Sequence, residues 1–252
     1  MKINLIPFDM RIGRQKPETI IHKNNACPFC NVSSLTDIIA REGSIILLKN
    51  KYNVVIGADQ FVLIENNICE SDTPDYTREH HRRIIRIGIE FWRSLQRSGK
   101  YRSVLFFKNH GPFSGGTIRH PHSQIIAFPD VDPSLTYFLD EFEGIPIDTR
   151  SGVRFNISTT PRMGFGELNI CAENDNALDI VADYIQIAVD YLTKYFSKRE
   201  TSYNIFFYPI EDRLRIKILP RFATPPLFVG YNIRFRPSNI NALAEDIKKK
   251  YF

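Results

Sequence analysis

His120-Pro121-His122-Ser123-Gln124-Ile125-Ile126-Ala127-Phe128 opens on two imidazoles and runs into an apolar stretch rich in aliphatic residues, the composition of a buried strand. On a strand, residues two apart share a face, so His120, His122 and Gln124 are expected to look into one site while Pro121 and Ser123 look away. A loop carrying Gly111, Ser114, Gly115, Gly116 and Thr117 comes directly before it. Glycines let the backbone approach an anion closely, so the loop reads as a phosphate cradle beside two histidines.

The rest of the chain has the composition of a folded domain. Its 252 residues are 43% hydrophobic and 24% charged, enough for one large α/β domain or two small joined ones. The net charge of +5 suits an anionic small ligand. The 33 basic residues are interleaved with 28 acidic ones and form no stripe, so no nucleic-acid surface is expected. No apolar run approaches the roughly 18 residues of a membrane span, and the first residues hold too few consecutive apolar side chains for a signal-peptide core. With four cysteines, a reducing cytoplasmic setting is expected, and thiolate or metal chemistry more than a disulfide framework.

Short strands are expected at Ile45 to Lys49, Val54 to Gly57 and Phe61 to Glu65, after an irregular polar entry from Gly13 to Asn25. Thr73-Pro74 reads as the start of a helix that continues through Ile84, Ile87, Phe91 and Leu95 to about Gln96, with Gly99 beyond its end. Strands at Val104 to Lys108 and His120 to Phe128 follow. Pro129 to Gly152 reads as an acidic connector. The second half offers strands at Arg154 to Ser158 and Glu167 to Cys171, then a helix on Leu178, Val181, Ile185, Ala188, Leu192 and Tyr195. Strands at Tyr203 to Tyr208 and Leu214 to Leu219 follow, and a closing helix from Ser238 to Tyr251. The order helix, strand, turn, strand thus occurs twice, a faint internal duplication that divides the chain into halves 1–130 and 131–252.

Cys27-x-x-Cys30 is a metal half-site, because two thiolates three residues apart in a tight turn can hold one tetrahedral ion; a structural thiol pair and a redox dithiol are the alternatives. The remaining ligands would come from Cys69, His80, His81, His110 and His120. His80 and His81 are adjacent on a helix, diverge by about 100° and sit among Arg78, Arg82 and Arg83, which places them on a solvated face. The preferred set is Cys27, Cys30, Cys69 and His120, a closed and therefore structural zinc site. Cys171 is read as a core residue.

With His120 on the metal, His122 is free for chemistry. A neutral imidazole can attack an α-phosphorus when its other ring nitrogen donates to a carbonyl that sets the tautomer. Asn109, Gly111, Ser114, Gly115, Gly116 and Thr117 would meet phosphate oxygens, and Gln124 would support the transferred phosphoryl group as charge builds.

These residues resemble the galactose-1-phosphate uridylyltransferases, a branch of the histidine-triad superfamily. The resemblance lies in Cys27-Pro28-Phe29-Cys30, Asn50-Lys51-Tyr52, Asn109-x-Gly111, His120-Pro121-His122-x-Gln124 and Val229-Gly230-Tyr231. It implies a duplicated half-barrel α/β (α+β) fold, an antiparallel sheet with two long helices. It also implies His120 as zinc ligand and His122 as the nucleophile of a two-step transfer through a nucleotidyl-histidine. Asn50 and Tyr52 would touch the nucleoside, and Asn109, Thr117 and Gln124 the phosphates. Cys69 stands where the family usually has a histidine ligand.

In the second half the family's paired histidines are Arg215 and Lys217, so a second metal site is not expected. Those two cations are left open as contacts to an anionic acceptor or as surface charges on an edge strand. Asn232 replaces the glutamate that binds the hexose, which counts against galactose 1-phosphate as acceptor. The reading is a nucleotidyltransferase acting on a nucleotide or nucleotide sugar, uridylyl or adenylyl, with a homodimer expected by analogy with the family. A dinucleoside-polyphosphate phosphorylase or hydrolase with the same nucleophile, and a non-catalytic nucleotide- or zinc-binding protein, are the alternatives.

Overall fold

The computed structural model describes residues 4–196 and 202–252. The chain forms two compact units, residues 1–72 with 86–137, and residues 73–85 with 138–252.

The first unit begins with a short helix, α1 (Met10–Gln15), capped by the Asp9 carboxylate. Its sheet holds β1 (Ile38–Glu42), β2 (Ile45–Lys49), β3 (Asp59–Ile64), β4 (Ser103–His110) and β5 (His122–Phe128). They lie in the order β1-β2-β3-β5-β4, every pairing antiparallel. Helix α2 (Arg78–Arg97) starts in the second unit and ends in the first. Its Trp92, fully buried, donates from Nε1 to the Val104 carbonyl at 2.7 Å, and Phe91 meets Phe61 edge-on at 5.0 Å. Phe61, Leu63, Phe106 and Ile125 form the helix-side core. Strand alternation then turns Gln60, Val62, Phe107, His122, Gln124 and Ile126 to the opposite face, where a cavity lies.

The second unit repeats the plan. Strands β6 (Gly144–Arg150), β7 (Val153–Ser158) and β8 (Leu168–Ala172) precede α3 (Leu178–Tyr191), and β9 (Ser202–Ile210) and β10 (Arg213–Arg221) follow it. Their order, β9-β10-β8-β7-β6, mirrors β4-β5-β3-β2-β1 strand for strand. The duplication faintly visible in sequence is therefore a repeated three-strand, helix, two-strand topology, and the expected antiparallel α+β class is the observed one. Helix α3 lays Tyr184 on Phe155, ring centroids 5.3 Å apart. Two further helices, α4 (Pro226–Tyr231) and α5 (Ile240–Tyr251), end the chain. Asn232 adopts φ 54° as the left-handed cap of α4.

Several local expectations are corrected. Val54 to Gly57 forms no strand of the sheet, because its backbone is taken by the N-terminal segment: Asp9 donates to the Val54 carbonyl and Ile56 to the Pro7 carbonyl. The connector from 129 to 152 contains β6, a sheet-edge strand whose Pro146 lies at a register shift, where a missing N–H is tolerated. β1 is an edge strand with every residue exposed, so no burial pattern marks it in sequence. Thr73-Pro74 belongs to a separate 3-10 turn (Thr73–Asp75), and the Thr77 hydroxyl accepts from the His80 N–H at the true start of α2. His81 does not lie on a solvated face; it is 3% exposed, with Tyr76 against it. Cys171 is fully buried, as expected of a core residue.

Gly88 on α2 is where helix and sheet approach closely: a Cβ there would lie 2.6 Å from the Phe106 ring and 3.2 Å from Leu63. Gly88→Ala gains about 1 kcal/mol of helix propensity but forces this contact apart. We expect a net loss of about 1–2 kcal/mol, read from urea unfolding.

Candidate active site

Cys27 and Cys30 sit in a turn closed by the Cys30 N–H on the Cys27 carbonyl, and Cys69 follows β3. The candidate ligand atoms of Cys27, Cys30, Cys69 and His120 all lie within 4.8 Å of one another. His120 Nδ1 is 3.6 Å from the Cys27 sulfur and 3.5 Å from that of Cys30. A tetrahedral zinc with its usual Zn–S and Zn–N lengths would separate S and N by roughly 3.6 Å. His120 Nε2 lies 2.7 Å from the Asn66 carbonyl, which can only accept, so the proton sits on Nε2 and Nδ1 presents a lone pair to the thiols. Burial, then its thiol neighbours, pushes the Cys30 thiol up to about 12. A cation at the centre would relieve that crowding of potential negative charge. The four side chains thus fit a tetrahedral zinc, with all four positions supplied by the protein.

His120 itself precedes β5, which begins at His122, and the two imidazoles do not open on one site. His120 turns to the cysteines, whereas His122 lines the cavity, and the Phe29 ring touches both imidazoles. His122 Nδ1 is 2.7 Å from the His120 carbonyl. That carbonyl sets the tautomer: Nδ1 carries the proton and Nε2 is bare. Burial pushes the imidazole's pKa below its ordinary value, outweighing the carbonyl and Glu65, so the ring is neutral at pH 7.

The cavity has a volume of about 340 Å³. Asn50, Tyr52, Asn109, Gly115, Gly116, Thr117, His122 and Gln124 all line it. Gly111 and Ser114 do not; they shape the loop instead. The Ser114 hydroxyl donates to the Gly111 carbonyl at 2.7 Å and accepts from the Gly116 N–H at 3.2 Å, while Gly111 and Gly115 take φ of 80° and 85°.

Sequence reasoning gave no role to Lys16 and Lys51, two basic residues at a cavity with no carboxylate among its lining residues; Lys49 also borders it, but its pairing with Phe61 turns its side chain to the helix side, toward Asp59. Lys16 lies in a strap held by fully buried Thr19, whose N–H donates to the Thr117 carbonyl and whose hydroxyl accepts from the Arg119 N–H. Burial lowers the Lys16 ammonium's pKa, with no carboxylate beside it to compensate. A lone lysine in a polar entry carries no periodic signal; the glycine loop that borders the same cavity was the available clue.

Behind β5, on the helix side, Lys108 is 3% exposed and donates to Glu65 at 2.6 Å and to Asp72 at 3.1 Å. The Ser123 hydroxyl donates to the other Glu65 oxygen at 2.6 Å. This buried joint ties β3, β4 and β5 to both ends of the segment that carries Asn66 and Cys69. Burial alone would raise the Glu65 carboxyl and lower the Lys108 ammonium, but each is outweighed by its partners: Glu65 is held below its ordinary 4.5 and Lys108 above its ordinary 10.5.

Family models match nearly the whole chain. They are described as the N-terminal and C-terminal domains of DUF4931, a domain of unknown function, over residues 8–131 and 136–252. The crystal structure of a DUF4931 family protein from Bacillus cereus is 40% identical and superposes with a TM-score of 0.77 over 84% of this chain and 98% of that one. The chain belongs to the DUF4931 family. A uridylyltransferase structure is 16% identical, with a TM-score of 0.71 over 90% of this chain and 91% of its own. An ADP-glucose phosphorylase from Arabidopsis thaliana is 15% identical, with a TM-score of 0.72 over 94% and 92%. This DUF4931 chain therefore has the fold that the sequence motifs led us to expect. A curated di-/tripeptide transporter from Lactobacillus helveticus is 28% identical over 103 residues, which is 41% of this chain and only about a fifth (21%) of that protein's length. Among the described residues no helix is long and apolar enough to cross a membrane.

The second unit's counterpart of the cavity face is covered by its own chain. Opposite α3, Asn156, Asn169 and Lys217 align across β7, β8 and β10. Asn156 donates to the Phe142 carbonyl, and Asn169 and Lys217 to that of Glu141, while Lys217 pairs with Glu167 at 3.1 Å. Lys217 is fully buried and Arg215 8% exposed on an internal strand of the unit. Neither is a surface charge on an edge strand, and Lys217 is enclosed by these partners rather than presented to an acceptor.

Metal analysis should return about one zinc per chain, falling sharply in Cys69→Ala and unchanged in His81→Asn. Lys108→Met should cost about 3–5 kcal/mol in chemical unfolding, because it strands a buried carboxylate. The Glu65 contribution is complete above the carboxyl's ordinary 4.5 and is lost as pH falls through its lower folded value. Acid unfolding should therefore steepen below pH 4.5, and Glu65→Gln combined with Lys108→Met should flatten that limb.

Proposed function

We propose that this chain is a nucleotidyltransferase that works through a covalent nucleotidyl-His122 intermediate. The observation that carries the reading is the His122 imidazole: neutral, its tautomer set by the His120 carbonyl, and lining a cavity bordered by Lys16 and Lys51 with no carboxylate. In the first displacement Nε2 attacks the α-phosphorus of a nucleotide donor, an N–P bond forms, and the P–O bond to the distal group breaks with its electron pair leaving on oxygen. The positive charge gained by the ring is met by the His120 carbonyl at Nδ1–H. An acceptor phosphate oxygen then attacks the same phosphorus in line, the N–P bond breaks, and His122 returns neutral. Neither displacement needs proton abstraction, so the work is orientation and charge stabilisation. Asn109, Thr117, Gln124 and the Gly115-Gly116 turn are assigned to the phosphates, and Asn50 and Tyr52 to the nucleoside. Zinc, held by Cys27, Cys30, Cys69 and His120, would supply structure and no chemistry.

The relatives in fold named uridylyltransferase and ADP-glucose phosphorylase support a nucleotide or nucleotide-sugar donor. A second reading, a dinucleoside-polyphosphate phosphorylase, is favoured by Lys16 and Lys51, which suit a longer phosphate chain than a diphosphate sugar carries. A yeast Ap4A phosphorylase shares the fold at a TM-score of 0.51.

Incubation with α-labelled nucleotide sugars, dinucleoside polyphosphates and nucleoside triphosphates tests this. Acid-labile, base-stable label should form on the wild type with one donor class and be absent from His122→Gly. No label with any donor would leave the non-catalytic binding protein as the reading. Lys16→Ala should weaken donor binding by roughly ten- to a hundredfold, the worth of one charge-assisted hydrogen bond, measured by calorimetry.

A further inference from the structure

Phe29 occupies the turn between Cys27 and Cys30 and touches both histidines. Its ring stands edge-on to His120, centroids 5.9 Å apart, and to His122 at 5.2 Å. The same ring lines the cavity and packs, with Val32 and Leu35, on Ile46, Leu48, Val62 and Ile64. A metal ligand lies on each side of it within two residues. Where the two sulfurs are held therefore determines where the ring stands, and the ring forms part of the cavity wall beside the nucleophile.

We propose that Phe29 couples metal binding to nucleotide binding: zinc at Cys27, Cys30, Cys69 and His120 seats the ring against His122 and closes the cavity wall, so the two ligands bind cooperatively. This rests on the nucleotide reading above. Because coupling free energies are reciprocal, zinc must raise nucleotide affinity by the same factor by which nucleotide raises zinc affinity. Couplings of this kind are typically about 5–150-fold, and a single ring contact places the expectation near tenfold. Removing the ring should abolish the factor in both directions while leaving the four ligands in place.

The experiment is a cycle on the full chain. ADP and UDP binding is measured by calorimetry with and without zinc, and zinc affinity by competition with a chromophoric chelator, with and without saturating nucleotide. It is run on the wild type, Phe29→Ala and Phe29→Leu, the last keeping apolar volume against Ile46 and Val62. The expected result is about tenfold coupling in the wild type, and in both variants full zinc loading, nucleotide binding weakened about tenfold, and no remaining coupling. Variants that bind nucleotide as tightly as the wild type, or keep its zinc dependence, overturn the proposal. If circular dichroism shows that the zinc-free chain unfolds, zinc-loaded Phe29→Leu decides: unweakened nucleotide binding overturns it. Failure of the zinc-loaded wild type to bind either nucleotide is a separate result, and removes the functional reading along with the inference built on it.

Discussion

The placement of β5 between β3 and β4 obliges one strand to satisfy two different environments, and the chemistry of the site follows from how it does so. Toward α2 it presents Ile125 and Ala127, both fully buried, and Ser123, which reaches the Glu65 carboxylate. Toward the cavity it presents His122 and Gln124. A shift of one residue in register would exchange these faces, burying Gln124 against the helix and turning Ile125 to the ligand. The apolar core and the buried Lys108–Glu65–Asp72 joint resist that shift together. The one carbonyl that completes the nucleophile, that of His120, comes from just before the strand.

Duplication explains the architecture, and divergence explains why a single candidate site is described. Both units use the same strand order around one helix, yet the face opposite the helix is treated in opposite ways. In the first unit it remains open, lined with uncharged polar groups and lysines. In the second it is filled by the chain's own Glu141 and Phe142, and Lys217 is neutralised by Glu167. A buried lysine needs such partners, since an unpaired ammonium in that setting is costly. Arg215 and Lys217 are therefore the internal framework of a closed face.

The legible parts of this protein were those written in local pattern. The central strands, the three long helices, Cys171 in the core and the Cys27-x-x-Cys30 turn all carried periodicity, turn chemistry or spacing. Strands β1 and β6 did not, because an edge strand need not alternate: β1 is exposed throughout, and β6 contains a proline. His81 was misplaced because its arginine neighbours set the sequence impression, whereas its burial depends on the packing of Tyr76. Lys16 was invisible for a related reason: its position over the cavity is set by Thr19, which hydrogen-bonds to residues about a hundred positions away.

What the sequence by itself determined was the inventory of chemistry and its local spacing: two imidazoles one residue apart, a glycine loop before them, a thiol pair ninety residues upstream of His120, and, through the motifs, the fold. Short-range rules suffice for these, because turns, strand alternation and ligand spacing are properties of a few consecutive residues. Only the tertiary structure decided that the two imidazoles part company, that Phe29 touches both, that Lys16 comes to the cavity, and that a buried ion joint braces the strand from behind. Those outcomes depend on which distant segments share a face, and on the cost of burying charge without a partner. No local pattern encodes either.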